Sequence, residues 1–324
     1  MTGATNNSSG NSSASDMPTI VFFGNERIAT GVTTTVPTLK ALLAAGYNIA
    51  AIVIAQGDIG HSRKARKLEV LELAEQHNIP VATPTKLAEI AEQLASYQAE
   101  VGVLVAFGKL VPQSIIDLFP AGIINIHPSL LPQHRGSMPL ESALLHGDKT
   151  TGVSLMGLVS KMDAGPVYAQ QTVVLNGNET KQALADKLLQ LGGGMLLQTL
   201  PKIISGGCQP SQQDDSRATY DARIAKHAGT LGQCDWDQPA ATIERMVRAY
   251  AGWPRVRTRI GATDVIITAS HAEIGSGVPG SIWLQNHNLG IYTADGVLVI
   301  DKLLPLGKKE MTGSAFIAGY KPST

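Results

Sequence analysis

Three polar residues set in apolar surroundings are equipped for chemistry. The stretch INIHPSLLPQHRG, residues 124–136, closes an apolar run with Asn125 and His127. Two positions apart on an extended strand, their side chains leave the same face. Further on, KMDAGPV sets Asp163 in a turn between two apolar runs, followed by Gly165 and Pro166. An amide, an imidazole and a carboxylate in one crevice can hold an amine nucleophile, move its proton and stabilise a tetrahedral oxyanion. No Ser, Cys or Lys nucleophile is needed, so the set points to direct acyl or formyl transfer. A carboxylate beside His127 would also fix the tautomer and orientation of the ring. Plainer roles are open to the same residues: capping a strand end, shaping a proline-bounded loop, or closing an Asx turn.

These groups need a scaffold that delivers them to one place. From Pro18 the chain alternates apolar runs with helical spacing: TIVFFG (19–24), VPTLKALLAAG (36–46), NIAAIVIA (48–55), KLEVLELAEQHN (67–78), AEVGVLVAFG (99–108) and AGIINIH (121–127). Continuous apolar strands alternating with helices predict a mostly parallel, Rossmann-like α/β sheet covered on both faces. Such sheets bind ligands beyond the carboxyl ends of their strands, which is where Asn125 and His127 fall. GVSLMGLV and PVYAQQTVVL then flank the SKMDAG turn, and a long helix runs to Gly206-Gly207.

The remainder changes character. Residues 207–234 are polar and irregular and predict a linker. After the helical segment PAATIERMVRAYAG come five short β-like runs separated by Gly and Asn turns, which predict a small OB-like β-barrel over 235–324. The expected organisation is therefore a disordered tail (1–17), a catalytic domain (18–206), the linker (207–234) and the barrel.

The chain of 324 residues has 26 basic and 26 acidic side chains, so no global charge attracts nucleic acid and any such contact must be local. Cys208 and Cys234 sit in no CxxC pair and near no plausible His set, so no metal site is expected from them. The first 17 residues have neither an apolar h-region nor Arg-rich amphipathic character. No apolar run reaches bilayer-spanning length, and a cytoplasmic monomer with no membrane contact is expected.

INIHPSLLPQHRG, followed by HGDKTTGVSLMGLVSKMDAGPV, resembles the 10-formyltetrahydrofolate-dependent formyltransferase family. CDWDQPAATIERMVRAYAGWP and LPLGKKEMTGSAFIAGY resemble the opening and end of the C-terminal domain in its tRNA-acting branch, so the likeness spans about residues 18–321. The resemblance implies transfer of a formyl group from 10-formyltetrahydrofolate to the α-amine of initiator methionyl-tRNA. Asn125 and His127 would stabilise the formyl oxygen, and Asp163 would orient His127 and relay the amine's proton. Ser129, Leu130, Leu131 and Pro132 match the family's folate-contacting segment. VAFGKLVP, through Val105, Phe107 and Gly108, would wall the pterin ring.

Two basic patches bear on the acceptor. Arg63, Lys64, Arg66 and Lys67 cluster in HSRKARK, where the family carries a loop that enters the acceptor end of tRNA. Arg255, Arg257 and Arg259 alternate along a run expected to be a strand, so they should share a face that can follow phosphates. An ordinary solvated surface accounts for either patch equally simply. The turn Gln133-His134 departs from the family, in which many members carry Arg and an aromatic residue there. The rival acceptor is a nucleotide amino-sugar, and a retired catalytic scaffold that only binds RNA is the non-enzymatic alternative.

Overall fold

The computed structural model describes residues 17–25, 30–55, 68–221 and 230–322. All but the last residue of the expected tail, and the cluster Arg63, Lys64, Arg66 and Lys67, lie outside the described residues.

The first domain is built on strands β1 (Thr19–Gly24), β2 (Asn48–Val53), β3 (Val81–Ala82), β4 (Val101–Val105), β5 (Ile123–His127), the two-residue β6 (Arg135–Gly136), β7 (Thr150–Gly157) and β8 (Val167–Val174). Seven of them form one sheet in the order β3-β2-β1-β4-β5-β7-β8. The pairs among β1 to β5 are parallel, whereas β7 runs antiparallel to both β5 and β8. The mostly parallel sheet thus carries an antiparallel hairpin at one edge, where the loop 158–166 joins β7 to β8 without a crossover helix. Strand order reverses at β1 and β4, and the crevice beside that reversal faces the end of β5.

Alternation along β1 shows how both faces are covered. Ile20 and Phe22 enter one core cluster with Leu39, Leu196 and Leu200, while Val21 and Phe23 enter another with Leu94, Ile115 and Phe119. Each fully buried Phe contributes roughly 1.5–3 kcal/mol relative to exposure. The long helix Lys181–Ile204 lies directly on β5 and β7. At Gly192 on that helix, a Cβ would overlap the side chain of Ile126, so only glycine allows the helix this close to the strand that carries His127.

The second domain contains β10 (Val256–Ile260), β11 (Thr263–Glu273), β12 (Ile282–Gln285), β13 (Asn288–Tyr292), β14 (Val297–Pro305) and β15 (Met311–Thr312) in one antiparallel sheet. The order is β10-β11-β14-β13-β12, with β15 on β14. Among the described residues β10 and β12 do not pair, so the expected barrel is not closed by hydrogen bonds. The helix Ala240–Ala249 packs on β11 and β14 instead, burying Ala240, Ile243, Val247 and Ala249. The pairing register with β14 shifts at Ala269, and the long β11 pairs with β10 at one end and with β14 along its length.

The two domains share one apolar cluster. Met138, Leu140, Leu144, Leu184 and Leu188 of the first pack with Ile243, Val247 and Tyr250 of the second. The polar stretch after residue 206 is not a free tether as far as it is described. Ser211 pairs with Val167, and β9 (Tyr220–Asp221) pairs parallel with β6.

Candidate active site

Strand β5 is buried along its whole length, yet it ends in two polar residues. Its register is fixed on both sides: Asn125 pairs with Leu104 and Met156, and His127 pairs with Ser154. Ile124 and Ile126 point to the core, so Asn125 and His127 share the opposite face and open into a cavity of about 280 Å³ at the sheet's carboxyl edge. That volume sits near the low end for small-ligand pockets. Asp163 lines the same cavity, so all three candidate groups meet there.

The geometry gives each group a direction. Asn125 is only 7% exposed, and among the described residues its side-chain amide has no hydrogen-bond partner. A nearly buried amide with free donors facing a cavity is set to bind a ligand oxygen. His127 Nε2 lies 3.1 Å from the carbonyl oxygen of His134, which can only accept, so Nε2 carries the proton. Nδ1 then faces Asp163, whose Oδ2 is 3.8 Å away. The same oxygen accepts the Gly136 N–H at 2.8 Å.

Asp163 reaches this place through a left-handed backbone, φ 47°, in the turn between β7 and β8. Asp tolerates that region better than most residues. Gly165 is needed beside it, because a Cβ there would run into the carbonyl of Gly157. The turn is held from outside by Gln213, whose amide nitrogen donates to the carbonyls of Asp163 at 2.9 Å and Gly165 at 2.6 Å. Its amide oxygen accepts from Arg135 Nε at 3.0 Å and Nη2 at 2.8 Å.

Arg135 is fully buried. It also donates to the Tyr220 hydroxyl at 2.6 Å and pairs with Asp215 at 2.8 Å. Burial alone would pull the guanidinium's pKa down, but Tyr220 and Asp215 outweigh it and the net shift is upward. Hydrogen bonds from Lys161 and then Arg135 hold Asp215 below the ordinary carboxylate range. Gln213, Asp215 and Tyr220 fall in the stretch expected to be a linker. Their signal in the sequence was the run QQDDSRATYD, polar side chains able to answer a buried arginine.

Several expected ligand contacts are arranged differently. Ser129, Leu130, Leu131 and Pro132 do not line the cavity; Pro128 does. Ser129 is buried and donates to the carbonyl of Gln133 at 2.6 Å, and the Leu131 N–H donates to Ser154 Oγ at 3.1 Å. The turn is held off the cavity by these bonds within itself and by Ser154 and Gln170 on β7 and β8, which bond to the Ser129 and Leu131 backbone. Val105 points into the core, while Phe107 and Gly108 line the cavity. Asn25 went unnoticed in the sequence: its amide donates to the Phe107 carbonyl at 2.9 Å and accepts the Ala55 N–H at 3.0 Å, tying three strand ends together.

A second buried pair borders the cavity. Lys181 and Glu141 are each 1% exposed, with Nζ 3.1 Å from Oε1. Lys181 Nζ also donates to the carbonyls of Thr30 at 2.6 Å and Trp253 at 2.9 Å, so it bridges the two domains. Burial lowers its pKa, partly offset by Glu141.

In the second domain Arg257 and Arg259 are exposed on one face of β10, and Arg259 Nε is 3.0 Å from Asp264. Arg255 precedes the strand at φ 68° and donates to the Gly252 carbonyl, so the expected three-residue alternation holds for two. Among the described residues, no helix is long and apolar enough to cross a membrane.

A doubly covered sheet with an amide, imidazole and carboxylate at its carboxyl edge, joined to an antiparallel domain, agrees with two family matches. Residues 27–200 match the formyl transferase family and residues 229–321 match its C-terminal domain, and the chain belongs to the formyl transferase family. Its full-length relatives include the methionyl-tRNA formyltransferases of Trichlorobacter lovleyi, 34% identical over 93% of this chain and 94% of the relative, and of Chloroflexus aurantiacus, 37% identical over 93% and 96%. In fold the chain is similar to an N-formyltransferase from Helicobacter canadensis solved with folinic acid and dTDP-3-aminofucose (TM-score 0.66, 17% identity, 88% of this chain and 98% of that one).

Proposed function

We propose that the chain transfers a formyl group from 10-formyltetrahydrofolate to the α-amine of methionine on initiator tRNA. The observation that carries this reading is the free Asn125 amide beside His127 and Asp163 at one cavity. The fit of the donor rests on the cavity wall. Phe107 and Val111 give a flat apolar surface, and left-handed backbone at Ala106 (φ 52°) and Gly108 (φ 72°) turns peptide groups beside it. A flat heterocycle with edge donors and acceptors suits such a slot. When bound, the donor supplies an activated formyl carbon.

The Asn125 N–H donates to the formyl oxygen as negative charge gathers on it, while His127 Nδ1, whose lone pair is free because Nε2 holds the proton, faces the reaction as an acceptor. Removing one such donor from an oxyanion site costs roughly 2.7–4 kcal/mol of barrier. The amine forms the new C–N bond while the bond from the formyl carbon to the donor nitrogen breaks. Asp163 takes the proton that the amine loses and, with His127 Nδ1 beside it, hands that same proton to the departing nitrogen. His127 Nε2–H stays on the His134 carbonyl and keeps the ring oriented throughout.

The tRNA acceptor is supported by relatives of that name over nearly the whole chain and by exposed Arg257 and Arg259. A monomer working in the cytoplasm is part of the same reading, in keeping with an aminoacyl-tRNA acceptor. The second reading, an amino-sugar nucleotide acceptor, draws on the fold likeness to the Helicobacter canadensis enzyme. The test is direct. Purified chain is incubated with 10-formyltetrahydrofolate and either charged initiator tRNA or amino-sugar nucleotides. Formyl-methionyl-tRNA is the expected product, and formylation of the sugar alone would overturn the proposal.

A further inference from the structure

Behind the catalytic turn, among the described residues, two imidazoles and a carboxylate converge. His134, His146 and Asp148 each offer one ligand atom, and all three atoms lie within 4.8 Å of one another. The backbone brings them together from three directions. His134 stands in a left-handed turn at φ 56°. His146 ends the helix Pro139–His146, and the left-handed Gly147 (φ 68°) reverses the chain so that Asp148 returns towards His134. His134 Nε2 is 2.7 Å from Asp148 Oδ2, and the His146 ring stacks on the His134 ring at 5.7 Å with planes 14° apart.

A simple ion pair accounts for His134 and Asp148 but leaves the second imidazole without a role. A shared divalent cation would give both imidazoles and the carboxylate a common partner. Two imidazoles and one carboxylate form a ligand set of the zinc type, with a water completing the tetrahedron. Tetrahedral donors at normal zinc bond lengths stand roughly 3.3 Å apart, and the ligand atoms of this cluster all lie within 4.8 Å of one another. The nearest cation on the other domain is already engaged: Arg245 donates to the Leu145 carbonyl and to Thr242 Oγ1, both at 3.1 Å. Exposed Lys149 follows Asp148 directly in the chain.

We infer that His134, His146 and Asp148 form a binding site for a zinc-like divalent cation. The site would anchor the turn whose His134 carbonyl holds His127 Nε2, a consequence that rests on the catalytic reading above. Cation binding itself does not depend on that reading, and the experiment reads binding alone.

Full-length chain stripped with EDTA is titrated with Zn²⁺ against a chromogenic chelator, beside His146→Ala, Asp148→Asn and His134→Asn. Asn at 134 keeps a residue suited to left-handed backbone, and His146 is exposed, so these variants should fold; their unchanged melting without metal checks this. One zinc per chain is expected for the parent protein, with affinity falling roughly tenfold or more in each variant. Co²⁺ should give visible d–d absorption that disappears in His146→Ala, and Mg²⁺, which prefers oxygen ligands, should not compete. Equal zinc affinity and stoichiometry in parent and variants, or no zinc retained by the parent, would overturn the site. Competition by Mg²⁺ as effective as by Co²⁺ would also count against imidazole ligation.

Discussion

His127 Nδ1 stands 3.8 Å from Asp163 Oδ2, and that same oxygen accepts the Gly136 N–H at 2.8 Å. The carboxylate is thus fixed by a backbone donor yet remains close to the ring without a direct hydrogen bond to it. An amine or a water between the two could take the remaining gap. This divides the labour: Nε2 orients, while Nδ1 and Asp163 are left for the reaction.

Gln213 should behave as a positioning residue. Gln213→Ala removes two acceptor contacts from buried Arg135 and two donor contacts from the Asp163 turn. We expect a stability loss of about 1–3 kcal/mol, measured by denaturant unfolding, with a fall in kcat larger than any change in KM. An unchanged kcat would mean that the turn keeps its shape without the strap.

The buried Lys181–Glu141 pair makes a different forecast. Lys181→Met leaves a carboxylate buried and unpaired and should cost about 3–5 kcal/mol. Adding Glu141→Leu should restore most of that loss, because the orphaned charge is gone. Unfolding of the single and double variants decides it, and equal loss in both would assign the stability to the carbonyl contacts at Thr30 and Trp253.

Cys234 offers a test in pH. Burial, reinforced by Asp235, pushes its thiol from 9.0 up to about 12. The folded chain therefore keeps this proton where the unfolded chain has released it, so the contribution to stability is complete below about pH 9 and is lost as pH rises towards 12. Native protein treated with a thiol reagent at pH 8 should show one slow cysteine that reacts quickly once unfolded. Cys234→Ser should remove the slow phase.

Salt dependence should report the second domain. Neutralising Arg257 and Arg259 to Gln is expected to weaken tRNA binding and flatten the slope of log affinity against log salt by roughly 0.7–0.9 per lost phosphate contact. Arg255→Gln should change it less, since its guanidinium is turned back to the Gly252 carbonyl. Identical slopes in all three variants would remove this face from the tRNA footprint.

Much of the scaffold was legible because its signals are local. Continuous apolar runs announce buried parallel strands, and the two-residue spacing of Asn125 and His127 fixes their shared face. The β7–β8 hairpin showed itself through Asp163, Gly165 and Pro166. What was not legible depends on distant partners. Nothing periodic in QQDDSRATYD marks it as a strap for Arg135, and the pairing of β6 with β9 involves only two residues on each side. Ser129 to Pro132 were expected on the ligand side; none of the four lines the cavity, and Ser129 and Leu131 are buried and bonded to Gln133 and Ser154, partners the spacing does not announce. Strand count likewise could not tell a closed barrel from a bent sheet covered by the helix Ala240–Ala249.

The central claim is that His127 and Asp163 act as one unit on the transferred group. A double-mutant cycle in formyl transfer tests it, using His127→Ala, Asp163→Ala and the combined variant, each checked for native melting. Groups that act together lose their effect together. The account predicts that the combined variant is no slower than the worse single one, whereas losses that multiply would show the two residues working independently and contradict it.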